Sequence, residues 1–292
     1  MPNINYVSGM ISVLIPTRGR PENVKKVLIS GFNNAASPDL VEFLFYVDSD
    51  DNSFPLEVLN KNIRIIRGPR MWLSVLQNIL YSQAKGEIVM YAGDDIEFRT
   101  NGWDQIVRDK FEEFEDKIAL VYGDDDATHG EKIAIHGFLH RNWINAVGTW
   151  VAPGRGSLYD YWHTEVARKV GRLVFVKGLV IAHIHYRQGA ASAMFDDTYK
   201  YVYSASRSWV PFLTYRRLER ERRIDRILLS EVMDLKPKIE RNYLFAETLV
   251  KLSQRYNFNG LDYRRIRTLN NFKIMPVIIS NIIKILIKKR TF

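Results

Sequence analysis

Apolar and polar residues along the chain fall into two alternating rhythms. "ISVLIP" is a short β-branched run stopped by Pro16, and it predicts a buried strand. The next segment, "TRGRPENVKKVLISGF", turns at Thr17 to Arg20 and places Pro21 at a helix start. Val24, Val27, Leu28 and Phe32 then recur at helical spacing. "VEFLFYVDSDD", "IRII", "EIVMYA" and "IALVYGDDD" predict four more strands. "MWLSVLQNILYSQA" and "DQIVRDKFEEF" predict helices between them. Beyond about residue 145, "TWVAPGRGSLYDYW" predicts a loop and "YDYWHTEVARKVG" a helix stopped at Gly171. "RLVFV" and "LVIAHIHY" predict two further strands. From about Thr198 the pattern is nearly all helical, with breaks at Pro211, Pro237 and Pro276.

Strands alternating with helices imply a parallel α/β sheet, whose ligands bind beyond the carboxyl ends of the strands. Three predicted strands end in acids: Asp48, the pair Asp94 and Asp95, and Asp124 to Asp126. One such acid is an ordinary turn former. Three clusters on one sheet predict an acidic rim, and adjacent carboxylates suit a hard divalent cation, Mn²⁺ or Mg²⁺, shared with phosphate oxygens.

Other residues join this rim. His183 and His185 alternate along one strand, so both imidazoles face the same side as candidate metal ligands. Asp160 stands at a loop-to-helix junction, where it serves either as a helix N-cap or as a general base. Trp162 and His163 beside it offer an aromatic platform for an acceptor. Pro16, Thr17, Arg18 and Arg20 follow the first strand, where cations and backbone N–H groups meet a nucleotide diphosphate. Neither a G-x-G-x-x-G after that strand nor a G-x-x-x-x-G-K-S/T is present, which removes the main support for dinucleotide and P-loop readings.

Taken together, "ISVLIPTRGRPENVKKVL", "FLFYVDSDD", Asn78 in "LQNIL" and "GEIVMYAGDDIEF" resemble the nucleotide-binding half of GT-A glycosyltransferases of the family 2 type. "YDYWHTEVARKVGRLVFVKGLVIAHIH" is similar to the acceptor half of that group, and the resemblance spans roughly residues 10 to 186. It implies a GT-A fold, Rossmann-like, with a mostly parallel sheet and flanking helices over residues 1–197. A basic helical region follows over 198–292. It further implies a nucleotide-sugar donor, with a UDP-sugar foremost, and an inverting transfer. Pro16, Thr17, Arg18, Arg20 and Asn78 would lie about the nucleotide, Asp48 would meet its base and Asp94 its ribose. Asp95 would bind the metal with His183 or His185, and Asp160 would be the catalytic base. Gly93 stands where that family often has Asp, and the loop before Asp160 lacks a clear Glu-Asp pair.

Charge and composition bear on the acceptor. The chain of 292 residues carries a net charge of +9 and has no cysteine, so thiolate chemistry and disulfides are excluded. From Lys200 onward 21 basic residues face 8 acidic ones, a net of +13, whereas the first 199 residues carry a net of −4. Such a split suits an anionic partner for the C-terminal part. "VYGDDD", "HGFLHRNW" and "IAHIH" also look like glycosyltransferase-like proteins of phages, which implies a hydroxymethylated pyrimidine in DNA as acceptor. Two other readings stand beside it. In one, "PVIISNIIKILIKKR" forms a basic amphipathic helix for peripheral membrane contact and the acceptor is a glycan or lipid. In the other, the chain is a non-catalytic DNA-binding protein on a degenerate scaffold. The N-terminus shows no secretory signal and no apolar run reaches about 20 residues, which predicts a soluble, cytoplasmic protein, in the host cytoplasm if phage-encoded. The sequence leaves the oligomeric state open.

Overall fold

A computed structural model describes residues 6–58, 60–126, 129–151, 158–184, 200 and 218–234. The chain divides into units 1–247 and 248–292, and all described residues belong to the first. Its strands are β1 (Val7–Thr17), β2 (Val41–Asp48), β3 (Ile63–Gly68), β4 (Gly86–Tyr91), β5 (Ile96–Phe98), β6 (Leu120–Asp124), β7 (Gly137–His140) and β8 (Leu173–His183). The described helices are α1 (Pro21–Asn33), α2 (Leu73–Gln83), α3 (Trp103–Glu112), α4 (Arg141–Val147), α5 (Tyr159–Lys169) and α6 (Glu219–Val232).

The sheet runs in the order β3-β2-β1-β4-β7-β6-β8-β5. The α/β expectation holds, with one refinement. Four neighbouring pairs are parallel, but β7 runs antiparallel to both β4 and β6, and β5 runs antiparallel to β8. Because β7 reverses twice between them, β4 and β6 point the same way, and the ends of β1, β2, β4 and β6 share one edge.

Side chains alternate between two cores, as the period of two requires. Ile11, Val13 and Ile15 of β1, Phe43, Phe45 and Val47 of β2 and Ile88 and Met90 of β4 pack on one face with Trp103, Val107 and Phe111 of α3. Leu14, Leu44, Tyr46, Val89 and Tyr91 pack on the other with Leu76, Trp143, Trp162 and Leu229. Each fully buried side chain of this size contributes about 1.5–3 kcal/mol. β2 is buried at every position, as expected of a strand covered on both faces.

Several boundaries depart from the sequence pattern. β1 continues past Pro16 to Thr17. Its pairing with β4 ends at Leu14, so Pro16 runs beside β2 alone and fewer ladder bonds need its missing N–H. "RLVFV" and "LVIAHIHY" form one strand rather than two. Gly178 at φ +88° carries the chain through a register shift against β6, which replaces the expected break. β5, β7 and α4 are too short for a clear periodic signal. Of the expected C-terminal helices, only α6 and Lys200 lie within the described residues. The amphipathic segment of residues 276–290 lies outside them.

Candidate active site

The shared edge collects the acids of β2, β4 and β6, and each cluster is held differently. Asp48 Oδ2 takes Arg18 Nη1 at 3.0 Å, with Arg70 Nε at 3.8 Å. Arg18 also clamps Asp50 through both terminal nitrogens, at 2.5 and 2.9 Å. These two acids hold the Arg18 guanidinium firmly in its charged form, Asp50 most of all. Asp51 accepts the backbone N–H of Gly19 at 2.8 Å and ties the turn after β1 to the end of β2.

Asp94 is buried. Its Oδ2 accepts from Thr17 Oγ1 at 2.7 Å and its Oδ1 from Arg20 Nη1 at 2.7 Å. Burial still pushes its carboxyl up to about 6, against Arg20 and with Asp95 adding. Thr17, Arg20 and Asp94 are thus brought together, with Arg20 acting on Asp94. Asp95 points elsewhere, with its Oδ2 lying 3.4 Å from His183 Nε2. The backbone fixes that pairing, since Ile184 N–H donates to Asp95 O at 2.7 Å and His183 N–H to Asp125 O at 2.8 Å. Burial opposes charging of His183, but the Asp95 contact outweighs it and raises its pKa. A Cβ at Gly93 would meet Asp95 Oδ1, so any larger residue there would make that carboxylate shift.

The third cluster is mostly structural. Asp124 accepts from Asp126 N–H at 2.9 Å, as a turn former does. Asp126, at φ +51°, pairs with Arg99. Asp125 is buried, accepts from Gly130 N–H at 3.0 Å and faces His129 Nδ1 at 3.1 Å.

Asp160 is the second residue of α5. The N-cap position is Leu158 and carries no side-chain cap bond, so the capping role does not apply to Asp160. Its Oδ1 accepts the N–H of its own neighbour Tyr161 at 2.9 Å. Burial raises its carboxyl to about 7, and the backbone N–H only partly offsets this. A wall of rings surrounds it. Tyr91 meets Tyr159 edge-to-face at 5.4 Å and stacks on His163 at 5.5 Å, and the Tyr91 hydroxyl is spent on Ala134 O at 2.7 Å. Trp162 and His163 are therefore not an acceptor platform. Both are buried, and the indole N–H of Trp162 donates to Asp225 of α6 at 2.8 Å. Tyr161 is the exposed ring on that turn, at 39%.

Two further expectations meet other geometry. The Asn78 amide donates to Ser74 O at 2.8 Å and Val151 O at 2.9 Å and accepts Val151 N–H at 3.3 Å, which makes it a strut for the segment after α4. Trp150 and Val151 at the start of the expected loop are buried, while residues 152–157 lie outside the described part. His185 also lies outside it.

One residue of the site carries no sequence signal. His136 immediately precedes β7, where Phe138 pairs with Met90, so it lies level with the end of β4. It is 8% exposed, and neither ring nitrogen has a hydrogen-bond partner. Its ring meets that of His183 edge-to-face at 5.0 Å. Burial, with His183 adding, pushes its pKa down to about 3, so it is neutral. Only the antiparallel strand β7 brings it to the rim, and no spacing in the sequence announces that contact.

Among the described residues no three His, Asp or Glu side chains gather closely enough to hold an ion on their own. The donor set nonetheless fits a divalent cation. Adjacent ligands with bonds of about 2.1 Å stand about 3 Å apart, close to the Asp95–His183 spacing, and a diphosphate supplies further oxygens.

Fold and site together define an α/β protein with a polar rim at the carboxyl edge of its parallel strands. No family model and no curated protein matches the chain. Among solved structures it is similar to S. aureus TarS 1-349 in complex with UDP, at 13% identity and a TM-score of 0.47. That match covers 59% of each chain, so it spans less than two thirds of the TarS chain. It is also similar to the mannosyltransferase PcManGT from Pyrobaculum calidifontis in complex with GDP-Man and Mn²⁺. There the identity is 14% and the TM-score 0.45, over 89% of this chain and 83% of that one. Neither score reaches 0.5, and the functional reading rests on the residues of the site.

Proposed function

We propose that the protein is a glycosyltransferase that moves a sugar from a nucleoside diphosphate to an acceptor hydroxyl. The observation that carries this reading is the pairing of two unlike carboxylates on one rim. Asp95 faces an imidazole at 3.4 Å, and Asp160, with a pKa of about 7, stands ready to take a proton. The "GDD" context and the Thr17–Arg20 turn support it.

Asp95 and His183 would hold the divalent cation, which when bound stabilises negative charge on the departing diphosphate. Arg20 and Thr17 fix the Asp94 carboxylate, and Arg18 fixes Asp48, so the donor's nucleoside meets a prearranged polar wall. Asp160 Oδ1 is oriented by Tyr161 N–H, and its carboxylate accepts the proton of the attacking hydroxyl. That oxygen forms the new bond to the anomeric carbon as the bond to the diphosphate oxygen breaks and the nucleotide leaves with the electron pair. One base on one face gives a single displacement, hence inversion.

The acceptor we favour is a hydroxymethylated pyrimidine in DNA, on the basic balance of residues 200–292. α6 contributes little to that balance. Arg222 is buried against Glu165 and Glu219, and Arg223 and Arg226 pair with Glu219. Among the described residues no helix is long and apolar enough to cross a membrane.

The test is hydrolysis and transfer from radiolabelled UDP-sugars and GDP-sugars with Mn²⁺ and with EDTA, offered hydroxymethylated duplex DNA or glycan and lipid primers. Metal-dependent release of nucleotide that Asp160→Asn abolishes supports the reading. Salt-sensitive DNA binding with no turnover of any donor overturns it in favour of a binding protein.

A further inference from the structure

We propose that Gln77 is a positioning residue for Asp160: from α2 its side-chain amide ties together two stretches of chain, at Trp150 and at Tyr159, and so fixes where the base stands. This inference rests on the functional reading above and adds a residue to it. Gln77 is fully buried. Its Nε2 donates to Leu14 O of β1 at 3.2 Å, and its Oε1 accepts the Trp150 indole N–H at 3.2 Å. Burial pushes the Tyr159 hydroxyl up, Asp160 adds to this, and a hydrogen bond with Gln77 works against it, so that hydroxyl interacts with both the amide and the base. A buried amide is retained where its partners are supplied, and here they come from three separate segments of the chain.

Asp160 depends on such a tie. The N-cap of α5 makes no side-chain cap bond, and Asp160 Oδ1 accepts the N–H of Tyr161, so the carboxylate moves with the first turn of the helix. The body of α5 is anchored elsewhere: Thr164 Oγ1 accepts Ala134 N–H at 3.0 Å, and Trp162 donates to Asp225. The first turn reaches α2 through Tyr159, whose ring also meets Tyr91 edge-to-face. On the other side, Trp150 stacks on Tyr81 of the same α2 at 5.6 Å, and Asn78, next to Gln77, holds Val151. Through Leu14 O, Gln77 refers both stretches to β1, the strand that ends at Thr17. A general base works only within hydrogen-bond reach of its proton, and a misplacement of about 1 Å can cost about 10²-fold in rate. Gln77 therefore acts on the reaction through Asp160.

The experiment compares full-length wild type, Gln77→Leu and Tyr159→Phe. Ser12→Ala serves as a control, since it loses a buried hydroxyl bonded to Glu42, away from the Thr17 end of β1. Steady-state turnover of the sugar nucleotide gives kcat and donor KM. NMR gives the solvent exchange of Tyr161 N–H, the group bonded to the Asp160 carboxylate. Gln77→Leu and Tyr159→Phe are each expected to lower kcat at least about tenfold, with donor KM changed less than about twofold. Each should also speed Tyr161 exchange at least about threefold. Ser12→Ala should lose stability with both readouts as in wild type, which separates positioning from a merely structural role. If Gln77→Leu does not fold, Tyr159→Phe, which deletes one hydroxyl from a half-buried ring, carries the test alone. Unchanged Tyr161 exchange in a folded variant overturns the inference, and so does a kcat no lower than that of Ser12→Ala. No turnover of any sugar nucleotide by the wild type overturns the functional reading, and the exchange rates then decide by themselves whether Gln77 places the Asp160 carboxylate.

Discussion

Helices α3 and α5 each carry an aspartate as their second residue, Asp104 and Asp160, and the two carboxyls are driven in opposite directions. Asp104 is fully buried. Its Oδ1 accepts Ala36 N–H at 2.6 Å, and its Oδ2 accepts Ser37 N–H at 2.9 Å and Arg108 Nη1 at 2.8 Å. Burial alone would raise its pKa, but these donors more than reverse that and hold it below the ordinary carboxylate range. Asp160, also desolvated, receives among the described residues the N–H of Tyr161 and its own backbone N–H, and rises to about 7. The same residue at the same helical position is thus a structural clamp in one place and a proton acceptor in the other. What differs is how many N–H donors the neighbouring chain delivers to each.

The sharpest way to break this comparison is to neutralise each acid in turn. Asp160→Asn should lower kcat by about 10²–10⁴ without lowering Tm, as expected for loss of a general base. A steady-state assay with calorimetry on the same sample checks both halves. Asp104→Ala should do the reverse. It strands the buried Arg108 and the N–H groups of Ala36 and Ser37, so stability should fall by about 3–5 kcal/mol while the turnover of folded molecules is preserved. Urea unfolding measures the loss, and a large drop in kcat per folded molecule would refute the division of roles.

The pH dependence sharpens the same contrast. Asp160 has a folded pKa of about 7, above its unfolded value of about 3.9. Between those values the folded state holds a proton that the unfolded chain lacks, so this group's contribution to stability falls as pH rises through that window. Activity should rise over the upper part of the window, because only the carboxylate can accept a proton. Asp104, with its pKa depressed, contributes stability that is complete above its unfolded pKa and is lost as pH falls below about 4. Melting curves from pH 4 to 8 on wild type and Asp160→Asn should differ in slope, the variant lacking the decline. The smallest effect is expected at Asn78. Asn78→Ala removes its part-buried bonds to Ser74 and Val151, and stability should drop by about 1 kcal/mol, read as a Tm shift.

Much of this molecule could be read from local pattern. The β-branched runs of β1, β2 and β4, the Pro21 start of α1, the Gly171 stop of α5 and the acids at the strand ends depend on neighbours within a few residues, and these appear where the sequence puts them. Partners could not be read in this way. Periodicity says that a residue faces inward without saying what comes to meet it. Hence Trp162 and His163, which look suited to an acceptor, turn into the core against Tyr91 and Asp225. For the same reason the acids after β6 go to turns and to Arg99. Three acids and a histidine in the sequence determined that a polar, anion-managing edge would exist. Only the tertiary structure, by inserting β7 between β4 and β6 and laying β8 parallel to β6, decided that Asp95 would face His183, that His136 would meet the His183 ring without a hydrogen-bond partner, and that Asp160 would be left short of donors. The reason is that desolvation and long-range hydrogen bonds, which set those properties, belong to contacts between segments far apart in the chain.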